Sequence, residues 1–235
     1  MTVQEVLLHL ETLGDQQTKR TWLKHGAQEP FFGVKVGDLK PIQKRLKKNY
    51  NLAKELYATG NSDAMYLAGL IADEKAMTKE DLQDWAEQAN WYMLSEYTVA
   101  WVASESNYGL ELAKEWIQSD DERIATTGWA TLSSLASIKG DSELDLEYLT
   151  SQLDHVAQAI HSSPNRVRYT MNGFVIAMGC FIPTLTAKAK EVAKTIGKVQ
   201  VDMGGTACKT PEAYTYIEKV EQMGRTGKKK KTARC

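Results

Sequence analysis

The sequence predicts an all-α chain, an α-solenoid or curved array of helical repeats. Three observations carry that expectation. Apolar residues recur at spacings of three and four along almost the whole length. The five prolines, at 30, 41, 164, 183 and 211, fall where helices would start or stop. The helices so delimited are short, joined by short loops, and pair into units of about 30 to 40 residues, with no clean period in residue identity.

Taken in order, the apolar period places helices at 3–13, 15–28, 38–48, 51–59, 62–74, 78–89, 91–104, 108–118, 121–138, 143–160, 164–179, 183–195 and 211–223. Asp38 reads as the N-cap of the third, with Pro41 in its first turn. At 62–74, Met65, Leu67, Ala68, Leu70, Ile71 and Ala72 form a broad apolar surface behind Ser62 and Asp63 as caps. At 78–89, Thr78 caps a helix with Asp81 three residues on, and Leu82, Trp85, Ala86 and Ala89 share one buried face. Pro164, Pro183 and Pro211 open the last three helices. Between the final two, Val199, Val201 and Met203 alternate with polar residues ahead of Gly204 and Gly205, so 198–209 reads as a small hairpin or extended loop.

Composition narrows the function classes. A chain of 235 residues with 43% hydrophobic and 25% charged residues is an ordinary soluble globular protein with room for a sizeable core. Cys180, Cys208 and Cys235 are widely spaced and form no CxxC pair, and no pair of histidines completes a metal cage, so neither a disulfide scaffold nor a metal or other cofactor is expected. No run approaches the roughly 18 to 20 apolar residues of a membrane span, and the N-terminus lacks a basic signal region, so a cytoplasmic protein is expected. The net charge of −1 conceals polarity along the chain. Residues 225–235 carry Arg225, Lys228, Lys229, Lys230, Lys231 and Arg234 and no acid, leaving 23 basic against 30 acidic residues in 1–224. The expected organisation is one helical-repeat domain at 1–224 and a basic tail at 225–235, which suits a polyanion or is a solvated disordered tail.

Four clusters could carry chemistry. Phe31–Phe32–Gly33–Val34–Lys35–Val36–Gly37–Asp38 leads into a helix whose Lys40, Lys44, Lys47 and Lys48 form a stripe able to track phosphates, or an ordinary solvated face. In 90–101, Tyr92 and Glu96 share a helix face and put a carboxylate beside an aromatic wall, a setting that stabilises a developing cation. The alternative has Trp91, Leu94, Tyr97 and Trp101 as a core stripe with Glu96 facing water. Arg123 with Trp129, and Arg166 and Arg168 with Phe174, pair basic residues near a helix start with an aromatic farther along. Gly128 and Gly173 permit close approach of a neighbouring helix or of DNA. No GxSxG, Walker loop or HExxH is present, so triad, P-loop and zincin chemistry lack support.

Phe31–Leu39, Tyr66–Asp73, the Trp91–Trp101 helix and Val201–Lys209 through the lysine-rich end together resemble the DNA alkylation repair family, the AlkD-like HEAT-repeat DNA glycosylases and their relatives. The resemblance covers nearly the whole chain. It implies a curved HEAT-like repeat domain holding DNA in a basic concave groove. It also implies, in active members, an aromatic-lined cleft whose carboxylate helps excise cationic N3- or N7-alkylpurines. Carried over, the family's tryptophan and aspartate fall on Tyr92 and Glu96, its arginine falls near Thr127 with Arg123 one turn earlier, and its second tryptophan falls on Phe174. Every catalytic position thus departs from the active pattern.

The function expected from this resemblance is a DNA-binding family member with weak or absent glycosylase activity. An active alkylpurine glycosylase and a protein–protein scaffold are the alternatives. Glu96 and Tyr92 are the candidate catalytic residues, and Trp91, Trp129 and Phe174 the candidate cleft aromatics. Lys35, Lys40, Lys44, Lys47, Arg123, Arg166, Arg168 and Lys228, Lys229, Lys230 and Lys231 are the candidate contacts to double-stranded or branched DNA. A monomer without membrane association is expected.

Overall fold

A computed structural model describes residues 1–234; Cys235 lies outside the described residues. The chain forms thirteen α-helices and no strand among the described residues. They are α1 Val3–Thr12, α2 Gln16–Lys24, α3 Val36–Leu46, α4 Tyr50–Tyr57, α5 Ser62–Ile71, α6 Lys79–Gln88, α7 Ala100–Glu105, α8 Gly109–Trp116, α9 Glu122–Ile138, α10 Leu146–Ala159, α11 Asn165–Phe181, α12 Thr186–Ile196 and α13 Ala213–Gln222. From α4 onward they alternate between two layers. The inner layer is α5, α7, α9, α11 and α13, with α7, α9, α11 and α13 packed in succession and α5 packed on the 93–99 segment that leads into α7, and the outer layer is α4, α6, α8, α10 and α12. This is the stacked helix-pair architecture of a solenoid.

Two hydrophobic cores fill the space between the layers. The first takes residues from Val6 to Trp116 together with Ala233, and the second residues from Ala113 to Ile217, so α8 contributes to both. Tyr57 stacks on Trp85 with ring centroids 4.1 Å apart and donates its hydroxyl to the Trp85 carbonyl at 2.8 Å, tying α4 to α6. Gly128 is needed for close packing, because a Cβ there would stand 2.7 Å from the Ile117 nitrogen at the end of α8.

The local expectations hold with physical exceptions. Helix α3 begins at Val36 rather than Asp38, and Lys35 precedes it without a side-chain cap. Asp38 instead lies in the first turn, where its charge favours the positive end of the helix dipole. Pro41 therefore sits inside α3, not at its start. Helix α5 is capped by Asn61, and Ser62 and Asp63 are buried within it. The Asp63 carboxylate accepts hydrogen bonds from the backbone N–H groups of Phe32, Gly33 and Val34 at 2.5, 3.1 and 2.9 Å, which fixes the 31–34 loop onto α5. Residues 198–209 take the extended-loop form, held by reciprocal hydrogen bonds between Asn165 and the Asp202 backbone.

The basic C-terminal segment is not a solvated disordered tail. It is a strap that crosses the inner helices in reverse order. The Gly227 N–H donates to Cys180 on α11, the Lys230 N–H to Ser137 on α9 at 2.7 Å, and the Ala233 N–H to the Glu105 carboxylate at 2.8 Å. Arg234 then donates to the Leu70 carbonyl at 2.8 Å and pairs with Glu74. In a solenoid each repeat touches only its neighbours, so these contacts, up to 164 residues apart in sequence, join parts of the array that would otherwise not meet.

Candidate functional site

The segment preceding α7 is a π-helix over Met93–Val99, not the α-helix that the sequence predicts through 91–104. The wider turn carries Glu96, and single π turns inside α-helices are frequent at functional sites. Glu96 does not face water. It is buried, 6% exposed, and a bidentate partner holds both of its oxygens: Arg166 Nε donates to Oε1 at 2.6 Å and Nη2 to Oε2 at 2.7 Å. The guanidinium lies 4.4 Å from the centroids of both the Tyr92 and the Tyr169 rings. The Arg166 backbone N–H donates to the Glu122 carboxylate at 2.6 Å. One arginine at the start of α11 thereby joins the π-helix, α9 and α11.

Burial pushes the Glu96 carboxyl up to about 7, against the pull of the Arg166 guanidinium in the opposite direction. Burial likewise pushes the Tyr92 hydroxyl up to about 12 and raises Tyr97 and Tyr169. The sequence therefore places the right groups together: a carboxylate and an aromatic wall do embrace a cation. That cation is a side chain of the protein itself.

Beside the pair opens a cleft of about 850 Å³ on the inner face. It is lined by Glu96, Tyr97, Trp101 and Tyr169, by residues of α9 and α11, and by residues of α13 and the strap. Lys219, Arg225, Lys228, Lys229 and Lys230 contribute cations to that lining.

The structure distributes the remaining candidates widely. Trp91 is not a cleft aromatic: it packs on Trp22 and Phe31 and donates its indole N–H to the His25 carbonyl at 2.9 Å. Trp129 and Phe174 are not cleft aromatics either, because both point between the layers, edge to face at 5.2 Å, with Trp129 stacked on His155 of the outer helix α10. Arg123 pairs with Asp121, the cap of its own helix. Arg166 faces no phosphate, since Glu96 and the tyrosines occupy it. Arg168 donates to Asn165 at 3.3 Å. Lys35, Lys40, Lys44 and Lys47 are exposed on or beside α3, away from the cleft, and make no ion pair among the described residues. Lys228 and Lys231 are exposed on the strap, Lys229 pairs with Asp141 and donates to the Ala136 carbonyl, and Lys230 lies 5.7 Å from the Phe181 ring centre.

Sequence reasoning missed Tyr169 and the cleft-lining Tyr97 and Trp101. A signal existed for each: Tyr169 follows Arg166 by three residues on one helix, and Tyr97 and Trp101 are four apart. Among the described residues no cluster of histidine, cysteine or carboxylate side chains could hold a metal ion, and no single helix is long and apolar enough to cross a membrane.

Residues 6–196 match the family model described as DNA alkylation repair enzyme. The uncharacterized proteins Lmo0209 of Listeria monocytogenes and Lin0241 of Listeria innocua are each 34% identical over 225 residues, spanning 93% of this chain and 97% of theirs. A solved structure matches at a TM-score of 0.92 with 41% identity, covering 100% of both chains. It is described as a new family of proteins related to the HEAT-like repeat DNA glycosylases with affinity for branched DNA structures.

Proposed function

The chain belongs to the DNA alkylation repair family, and from that premise we propose that it is a DNA-binding protein that recognises branched DNA and has little or no glycosylase activity. The observation that carries this reading is the Glu96–Arg166 pair. Excising a cationic base requires an anion facing the sugar as positive charge develops there. Here the carboxylate is buried, both oxygens are occupied, and the adjoining guanidinium cancels its charge. Tyr92, the second candidate, spends its ring face on the same guanidinium and sets its hydroxyl 3.2 Å from His25 Nδ1.

Affinity for branched DNA is a property of the solved relative, which is alike over its whole length. In this chain the exposed cations suited to phosphates include Lys40 and Lys44 on α3, with Lys35 and Lys47 at its two ends, and Lys228 and Lys231 on the strap. In this reading the protein acts as a monomer, and in the cytoplasm.

The test is equilibrium binding of a four-way junction and a linear duplex of equal length across a salt series. The junction should bind at least tenfold more tightly. Alanine at Lys228 and Lys231 should lower the slope of log affinity on log salt by about 0.9 for each phosphate that these lysines neutralise. Equal affinity for junction and duplex would overturn the reading.

A further inference from the structure

We propose that the cleft between the inner helices and the strap is a binding slot for one unpaired nucleotide of a DNA strand. This deepens the reading above and rests on it.

The first argument is the make-up of the cleft. Ala130, Ser133 and Ser134 of α9 and Gly173 and Ala177 of α11 are among the residues lining it, so small side chains make up part of the lining of a space of about 850 Å³, within the usual range of small-molecule sites. Such a surface suits a flat ring.

Gly173 supplies the second argument. A glycine inside a helix weakens it, and the other glycines within α9 and α11 are explained by close packing, Gly128 against Ile117 at the end of α8 and Gly179 against Ile217 of α13. A Cβ at Gly173 would meet nothing within 4 Å. No neighbouring element needs its smallness; the effect of glycine there is to keep the slot wide.

The chemistry of the lining is the third. Near the Glu96 pair the cleft is lined by the half-buried rings of Tyr97 and Tyr169, with Trp101 packed behind Tyr97 and one side of Tyr169 against Arg166, leaving tyrosine ring surface on which a base can stack. The cleft is also lined by Lys219, Arg225 and Lys228 of α13 and the strap, all exposed and suited to a phosphate. Aromatic and cationic groups in one cleft match the two halves of a nucleotide. The strap is the reason for proposing an unpaired nucleotide: its backbone is hydrogen-bonded to α11, α9 and Glu105, so it is a fixed wall that a base can enter beside without its partner strand. Branch points and their flaps are where DNA offers such nucleotides.

A trinucleotide carrying central 2-aminopurine reads the slot without any branch. In the wild-type chain its fluorescence should change saturably, by at least twofold, as stacking quenches the base. Gly173→Leu, which projects into open space, should abolish the change, and so should Ser134→Leu from α9. Thermal melting of each variant establishes that it is folded, and a misfolded variant leaves the test to the other and to the wild-type titration. A three-way junction with one unpaired 2-aminopurine at the branch should bind about tenfold more tightly than the same junction fully paired, and both leucine variants should erase that preference. No saturable signal from the trinucleotide in the wild type, or a signal unaffected by the folded variants, would overturn the slot. A slot signal without preference for the paired junction over duplex would instead contradict the branched-DNA reading alone.

Discussion

The Asp63 cradle and the Glu96 pair lie on neighbouring inner elements, and each buries a carboxylate, yet the two are satisfied in opposite ways. Asp63 accepts three backbone N–H bonds from the 31–34 loop. Its partners are neutral, fixed by chain geometry and impossible to replace by substitution. Glu96 is held by one cationic side chain reaching from a helix 70 residues away. In both cases burial raises the carboxyl pKa, and in both the partners pull it down. The difference is that the first carboxylate organises a loop, while the second holds charge that a single residue cancels. Buried acidity therefore does not by itself mark a catalytic group; what decides is whether the anion remains uncompensated toward the substrate.

Breaking the cradle should have the largest effect on stability. Asp63→Ala strands three buried or partly buried N–H groups and should lower the unfolding free energy by about 4–6 kcal/mol, measured by denaturant titration. Arg166→Ala should cost about 3–4 kcal/mol at pH 8, because it leaves a buried carboxylate unpaired. That loss should shrink by pH 5, where Glu96 can take a proton.

The wild-type pair also carries a pH signature. With a folded value of about 7 against an ordinary 4.5, the folded chain binds the Glu96 proton more tightly. The resulting stabilisation is full below about pH 4.5 and is lost as pH rises to 7. Glu96→Gln should remove that portion of the pH dependence. An Arg166→Ala penalty independent of pH would show that the cost lies in lost tyrosine stacking rather than in the charge.

The smallest effects compare two helical glycines. Gly128→Ala should destabilise by about 1–3 kcal/mol through overpacking against α8. Gly173→Ala should stabilise by about 0.5–1 kcal/mol, since helix propensity improves and nothing is struck. Thermal or denaturant melts of the two variants side by side check both signs.

Much of this fold was legible from the sequence because short-range period determines helices, and the paired array follows from many short helices with short connections. The helix over 121–138 illustrates this, differing from α9 by one residue at its start. The π turn was not legible, because Met93–Val99 has the composition of an ordinary helix and the change in hydrogen-bond register leaves no residue signal. In the site, the Tyr92–Glu96 pairing was readable from spacing on one helix. Its partner was not: Arg166 stands near a helix start, where an arginine is equally suited to a phosphate, and only the tertiary fold turns it toward Glu96. Trp129 and Phe174 failed as cleft residues for a related reason, since an aromatic on an inner helix can face either the groove or the outer layer. The docking of the strap was not legible, because lysine-rich composition fits a solvated tail or a polyanion-binding arm alike, whereas its anchoring depends largely on backbone donors that composition does not reveal.

The most direct test of the central claim is release of free base from duplex DNA containing N7-methylguanine, with protein in excess over DNA, for the wild type and Glu96→Gln. A carboxylate neutralised by Arg166 predicts release at the spontaneous rate in both, while DNA remains bound. Release well above that rate in the wild type, abolished in Glu96→Gln, would show that Glu96 acts on the sugar despite its partner and would contradict the account.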